Sequence, residues 1–196
     1  MPRDRLAAQF AFLGEIDRLK SVLRRTALVD RSRRENSAEH SWHLGVMALV
    51  LAEYAPEGTN LARVTQMLLV HDLVEIDAGD TFAFDREANL DKHAREQVAA
   101  QRLFSILPSD TGMALRELWD EFEAGTSIEA RFANALDRFS GLLQNWAGRD
   151  GGTWREHGIT REAVLARMDP IREGAPGLWP SVLEVIEASA VAGFLR

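Results

Sequence analysis

Apolar residues recur at helical spacing along almost the whole chain, and the two-residue alternation of a half-buried strand is nearly absent. The pattern predicts an all-α fold. Over residues 5–23, Leu6, Phe10, Leu13, Ile16 and Leu23 make an apolar stripe between charges, an amphipathic helix whose stripe is expected to pack on the core. Ser37 is expected to cap a second helix, with residues 44–54 as its apolar body. Pro56 to Asn60 breaks the chain, and Asn60 is placed to cap a third helix over 60–75, built on Leu61, Val64, Leu68, Leu69 and Val70. Further helices are predicted over 86–107, stopped by Pro108; over 114–124, ended by Gly125; and from Ser127 to 139, with Ile128, Phe132, Leu136 and Phe139 on one stripe. In the tail, Thr160 caps a helix to Met168, and a last helix runs from about Pro180 to Phe194. The glycine-rich turn 148–152 lacks the strand context and the lysine of a phosphate-binding loop.

Composition narrows the function classes. Hydrophobic residues make up 46% of the 196 positions, ample for a core. With 23 basic and 30 acidic residues the net charge is −7, which argues against a nucleic-acid polymer as partner. No stretch approaches the ~20 continuous apolar residues of a membrane span, and the first five residues lack the apolar centre of a signal peptide. A soluble, cytoplasmic protein without a membrane partner is expected. The absence of cysteine excludes disulfides, thiolate metal sites and cysteine nucleophiles. A metal would have to be held by His, Asp, Glu or other oxygen donors.

Against that acidic background, residues 24–34 carry five arginines in a loop-like setting: either a solvated face or a bidentate grip on phosphate. The run from Leu68 to Glu75 sets His71, Asp72 and Glu75 into an otherwise apolar helix. Burying unpaired charge is costly, and a divalent cation compensates it; alternatively the polar residues only mark a helix end. His40 and His43 lie near one face of the second helix. Gly79-Asp80 is a plain turn, or one that faces a carboxylate and the Thr81 hydroxyl into the same cleft. Asp137 is either an exposed partner of Arg131 or Arg138, or a late carboxylate for a metal.

The order His40, His71-Asp72, Asp137, each member on its own predicted helix, resembles the HD superfamily of metal-dependent phosphohydrolases. The flanking words Glu35-Asn36-Ser37-Ala38-Glu39-His40, Leu69-Val70-His71-Asp72-Leu73-Val74-Glu75, Ala78-Gly79-Asp80, Glu117-Leu118-Trp119-Asp120 and Leu136-Asp137 are similar to the branch that includes the 5′-deoxynucleotidases. The resemblance implies a single-domain helical bundle over residues 1–196, with its core at about 10–145 and 146–196 a helical extension packed on it. It implies one divalent metal on His40, His71, Asp72 and Asp137, with His43 the second candidate for the first position. It also implies removal of the 5′-phosphate from nucleoside monophosphates. Glu75 and Asp80 match acidic residues associated with catalysis, and Arg25 falls where an arginine lines the substrate pocket; Arg33 and Thr81 are further candidates for the substrate. Thr26 stands where some relatives carry an aromatic residue that helps reject a 2′-hydroxyl, which leaves deoxyribose selectivity open.

The chemistry suits these residue types. Two imidazoles and two carboxylates bring a divalent charge to about zero and leave positions for water and a phosphate oxygen. The mixed donor set suits Mn, Co, Fe, Ni or Zn without choosing among them. Of Glu75 and Asp80, one would orient or deprotonate the water and the other protonate the leaving oxygen; the sequence does not assign the roles. Two rivals stand beside this reading. One is hydrolysis of another phosphate ester or anhydride, such as a nucleoside triphosphate or a guanosine alarmone, which should need further cations, and no comparable cluster exists outside 24–34. The other is a non-catalytic metal- or nucleotide-binding module. Trp154, Trp179 and Phe194 offer apolar surface for a homodimer, or pack in the core.

Overall fold

The computed structural model describes residues 2–196; Met1, the first residue of the N-terminal stretch considered above for a leader, lies outside the described residues. Helix α1 (Pro2–Ile16) passes through a tight helical turn (Asp17–Ser21) into a small antiparallel hairpin, β1 (Leu23–Ala27) and β2 (Arg34–Asn36). In the hairpin Leu23 faces Asn36 and Ala27 faces Arg34. This corrects the loop expected for the arginine-rich segment. Strands of five and three residues are too short to display the alternation by which a strand is recognised.

Helix α2 (Ser37–Val50) is capped by Asn36, not Ser37. The Asn36 Oδ1 accepts from the Glu39 backbone N–H at 2.9 Å, while the Glu39 carboxylate accepts from the Asn36 N–H at 3.2 Å. This reciprocal cap leaves the Ser37 hydroxyl free for other work. Helix α3 (Leu61–Val70) is capped by Asn60, followed by α4 (Glu75–Ala78), α5 (Lys92–Phe104), α6 (Ser109–Ala124) and α7 (Ile128–Ala147), the last capped by Ser127. The tail adds α8 (Gly152–Glu156), α9 (Arg161–Met168) capped by Thr160, α10 (Ile171–Gly174) and α11 (Trp179–Val191). The fold is all-α apart from the hairpin. Among the described residues no helix is long and apolar enough to cross a membrane.

Helix α3 packs against α2, α6 and α7. One apolar cluster joins Leu44, Val64, Leu68 and Leu136 to tail residues Trp154, Val164, Ile171 and Ile186. A second joins Phe12 and Leu19 to Val70, Leu73, Leu103 and Trp119. The segment around residue 71 therefore runs from one cluster into the other, and each fully buried large aliphatic there contributes about 1.5–3 kcal/mol. The tail lies close on α7: a Cβ at Gly174 would fall 2.2 Å from the Arg131 carbonyl oxygen. Of the tail aromatics, Trp154 is buried, Trp179 packs on the first cluster, and Phe194 stands against Trp146.

Helix α1 departs from expectation. Leu6, Phe10 and Leu13 are at least half exposed, and Phe12 carries the packing instead. Phe12 lies roughly 200° round the helix from Phe10. Periodicity marks which face is apolar; it does not say that a neighbour covers it.

At the hairpin tip Arg31 adopts a left-handed backbone (φ 61°), rare for a side chain of its size. Its Nη2 lies 2.5 Å from an Asp150 oxygen and donates to the Gln144 carbonyl at 3.3 Å. The glycine-rich turn makes room for it, since a Cβ at Gly148 would fall 2.1 Å from the same nitrogen.

Candidate functional site

The expected helix over 60–75 breaks at its functional end. His71 N–H still donates to the Met67 carbonyl, but Leu73 donates to Val70 and Glu75 to Asp72, three residues back rather than four. This tighter winding separates α3 from α4, and His71, Asp72 and Glu75 are all buried. Fully buried His40, from the first turn of α2, meets them with its ring 5.7 Å from that of His71. His40, His71 and Asp72 present ligand atoms within 4.8 Å of one another. His43 stacks beside Trp42 and is not part of this group.

The hydrogen bonds assign the histidine faces. Nδ1 of His71 lies 2.8 Å from the Leu68 carbonyl, which can only accept, so Nδ1 carries the proton. The Nε2 lone pair is left buried without a hydrogen-bond partner, 3.1 Å from Asp72 Oδ1. Nε2 of His40 lies 3.0 Å from Asp137 Oδ1 and 4.0 Å from Asp72 Oδ2, which brings α7 into the cluster. An orphaned imidazole nitrogen among carboxylates fits a divalent cation. Behind this cluster, Nδ1 of His40 stands 3.6 Å from Glu35 Oε2, and Glu35 Oε1 accepts from the Gln144 amide at 2.7 Å.

Uncompensated charge shapes the electrostatics. Burial, reinforced by Asp137 and Asp80, pushes the Asp72 carboxyl up to about 8 against the opposing charge of Arg24. Burial, then Asp72 and Asp80, raises Glu75. Burial also raises Asp80, which accepts a hydrogen bond from the Arg25 backbone. Burial would raise Asp137 as well, but the hydrogen bond from His40 holds it well below the usual carboxylate range. Burial and the charge of Arg24 push His40 down to about 3.

Strand geometry divides the two neighbouring arginines. Arg24 turns inward, its side chain 16% exposed, with Nη1 3.4 Å from Asp72 Oδ2 and 3.8 Å from Asp80 Oδ1 and its Nε 3.3 Å from Glu35 Oε2. Burial works against its charge, yet the surrounding carboxylates hold its proton affinity above the ordinary value. Arg25, the next residue, is exposed at the cavity rim. The Ser37 hydroxyl freed at the cap donates to Glu75 Oε2 at 2.6 Å.

Next to the cluster of His40, His71 and Asp72, and sharing Asp72 with it, opens a cavity of about 760 Å³, counting its mouth. Arg25, Asp72, Glu75, Asp80, Thr81 and Asp137 line it, and Thr26 lies beside them. Arg33 does not; its guanidinium grips both Glu39 oxygens on the surface, at 2.5 and 2.8 Å. The helix expected from residue 86 begins only at Lys92, because Asp85 and Asn89 side chains capture backbone groups before it: Asp85 Oδ1 accepts from the Ala88 N–H, and the Asn89 amide donates to the Phe82 and Asp85 carbonyls. Arg95 ties this loop down, donating to the Ala78 and Ala88 carbonyls and to the Thr81 hydroxyl.

Several residues in and behind the cavity escaped the sequence reading. Arg24 and Glu35 lie inside motifs already singled out, and only the strand register turns them inward. Lys92, Arg138 and Arg167 line the cavity from three separate helices; each in sequence is a lone cation on an amphipathic helix. Burial, and then the like charge of Arg167, lowers the proton affinity of Arg138.

Comparison with known proteins agrees with this arrangement. A family model described as HD domain matches residues 16–179. The chain is 37% identical over 135 residues to 5′-deoxynucleotidase HDDC2 of Bos taurus and 36% identical over 135 residues to that of Homo sapiens, covering 68% of this chain in both cases. Those matches span 64% of each relative's own length. The crystal structure of a protein described as a predicted metal-dependent phosphohydrolase, from Magnetospirillum magnetotacticum MS-1, superposes with a TM-score of 0.95 at 48% identity, covering 100% of this chain and 98% of that one. With the family model matching most of its length and the ordered histidines and aspartates in place, the chain belongs to the HD-domain family.

Proposed function

We propose that this chain is a metal-dependent phosphohydrolase that removes the 5′-phosphate from ribo- and deoxyribonucleoside 5′-monophosphates. One observation carries the reading: the buried Nε2 of His71, without a hydrogen-bond partner, lies beside His40 and Asp72, and Asp72 in turn lines a cavity that also holds Glu75, Asp80 and several cations. The names of the relatives, 5′-deoxynucleotidases and a predicted metal-dependent phosphohydrolase, support the substrate and the class. The ion, one of Mn, Co, Fe, Ni or Zn, would be held by His40, His71, Asp72 and Asp137. When bound, it supplies a Lewis acid that acidifies water and polarises a phosphoryl oxygen.

The remaining chemistry belongs to the chain. Glu75, oriented by Ser37, and Asp80, held by the Arg25 backbone, handle the two protons. One accepts the proton of the attacking water as its oxygen bonds to phosphorus; the other delivers a proton to the departing 5′-oxygen as the P–O bond breaks. Arg25 at the rim offsets phosphate charge. Thr26 sets a small polar side chain on the cavity lining, so this position leaves the choice between ribose and deoxyribose to the turnover panel.

The rival substrate class, a nucleoside triphosphate or guanosine alarmone, draws support from one observation. The cations absent from the sequence pattern are gathered by the fold, with Lys92, Arg138 and Arg167 on the cavity wall. Phosphate release from a panel of mono- and triphosphates in both sugar series, across these metals and with chelator, separates the readings. Turnover of monophosphates that survives both chelation and Glu75→Ala would sink the mechanism.

A further inference from the structure

We propose that Arg167 of α9, together with Arg138 of α7, forms an anion-binding wall that grips the phosphoryl group of the substrate. The proposal rests on the hydrolase reading for the nature of the substrate, but its evidence is independent. The cations around the cavity differ in how far they are already neutralised. Arg24 is spent on Glu35, Asp72 and Asp80. Arg138 donates through Nη1 to the Asn134 backbone and side-chain oxygens, neither of them charged, and its Nε is buried with no partner. For Arg167, among the described residues, the carboxylate within ion-pair reach is that of Asp137, whose Oδ2 lies at the long limit of 4.0 Å while its Oδ1 is taken by His40.

Two guanidiniums share one cavity wall, and among the described residues the one ion pair either makes with a carboxylate is the 4.0 Å approach of Arg167 to Asp137, which leaves both with donors to spare for an anion. The planar fork of arginine matches the tetrahedral oxygens of a phosphate and can donate to two at once. The base of Arg167 is fixed, because its helix neighbours Val164 and Met168 are buried in the core, and its partly exposed guanidinium reaches the cavity from there. Its reach to within 4.0 Å of an Asp137 oxygen places it next to the proposed metal ligands. A phosphoryl group held beside Asp137 would therefore meet the Arg167 guanidinium.

The probe is inorganic phosphate, titrated by calorimetry into the full chain loaded with manganese(II). Arg167→Ala is expected to weaken phosphate binding about tenfold, and Arg167→Lys to recover part of that loss, with manganese affinity unchanged in both. In turnover the same variant raises KM more than it lowers kcat. Phosphate affinity within twofold of the unaltered chain in Arg167→Ala would overturn the proposal. So would a loss of manganese affinity with phosphate affinity intact, which would make Arg167 only a counter-ion for Asp137. Arg167-dependent phosphate binding in a protein that turns over no nucleotide leaves the anion wall standing and removes the substrate reading; nucleotide turnover with phosphate binding indifferent to Arg167 does the reverse.

Discussion

The Ser37 hydroxyl donates to Glu75 Oε2 at 2.6 Å and so joins the first turn of α2 to the first turn of α4. Both residues are buried, and Ser37 is available because Asn36 performs the capping. The serine therefore aims a carboxylate that the proposed mechanism uses for proton transfer. Glu75→Gln should lower kcat at least about a hundredfold, the usual scale for a lost general acid or base. Ser37→Ala should lower kcat about tenfold with metal affinity unchanged. Steady-state kinetics beside a metal titration checks both; a Ser37→Ala enzyme with unaltered kcat would show that Glu75 needs no such aim.

Removing the metal should cost stability as well as activity. In its absence Asp72, Glu75 and Asp80 crowd together, with Arg24 the counter-charge that reaches Asp72 and Asp80 within 4 Å. Calorimetric scans should show a rise in Tm on adding metal, corresponding to about 2.7 kcal/mol at a hundredfold excess over Kd. His71→Ala removes the nitrogen that has no other partner and should abolish that rise.

The buried charges also set a pH dependence for the metal-free protein. Asp72 is raised from 3.8 to about 8, so between those values the folded state keeps a proton that the unfolded chain has released. Its contribution to stability is lost as pH rises through that window. His40, lowered from 6.5 to about 3, acts in the opposite sense, but only below 6.5. From pH 6.5 to 8 the carboxylates act alone, and Tm of the metal-free protein should fall with rising pH. Metal binding at pH 7 should release protons, detected by titration calorimetry in buffers of different ionisation enthalpy. A Tm that climbs over that interval would contradict the burial of Asp72.

Gly174 tests how firmly the tail rests on the helix that carries Asp137. The nearest atom to an added Cβ is a backbone oxygen, that of Arg131, which cannot rotate away. Gly174→Ala should destabilise the protein by about 1–3 kcal/mol through overpacking, measured by urea unfolding. An unchanged midpoint would mean that α10 lifts off α7 freely.

The parts legible in the sequence were those governed by local rules. Helical period marked α3 and α7, and the caps at Asn60, Ser127 and Thr160 followed from their hydroxyl or amide side chains. An imidazole and a carboxylate inside an apolar run marked His71 and Asp72, which the structure does bring to His40. What was hidden depended on register or on distant packing. Arg24 and Arg25 are adjacent in sequence, and only strand pairing sends one inward and the other to the rim. Arg33, in the same run, is taken up by Glu39. Lys92, Arg138 and Arg167 come from helices far apart in the chain, so no window of sequence contains their convergence. The stripe of α1 shows the converse, a clear local signal in which Leu6, Phe10 and Leu13 stay at least half exposed while Ile16 packs on the second cluster.

The seating of Arg31 among Gly148, Asp150 and Gly152 ties the inheritance of two segments together. The hairpin brings Arg24, Arg25 and Thr26 to the cavity, and the segment after the turn brings Thr153, Trp154 and Arg167. A hybrid that grafts either segment from a relative onto this chain must carry the matching half of the socket, or an unseated arginine will prise the two walls apart.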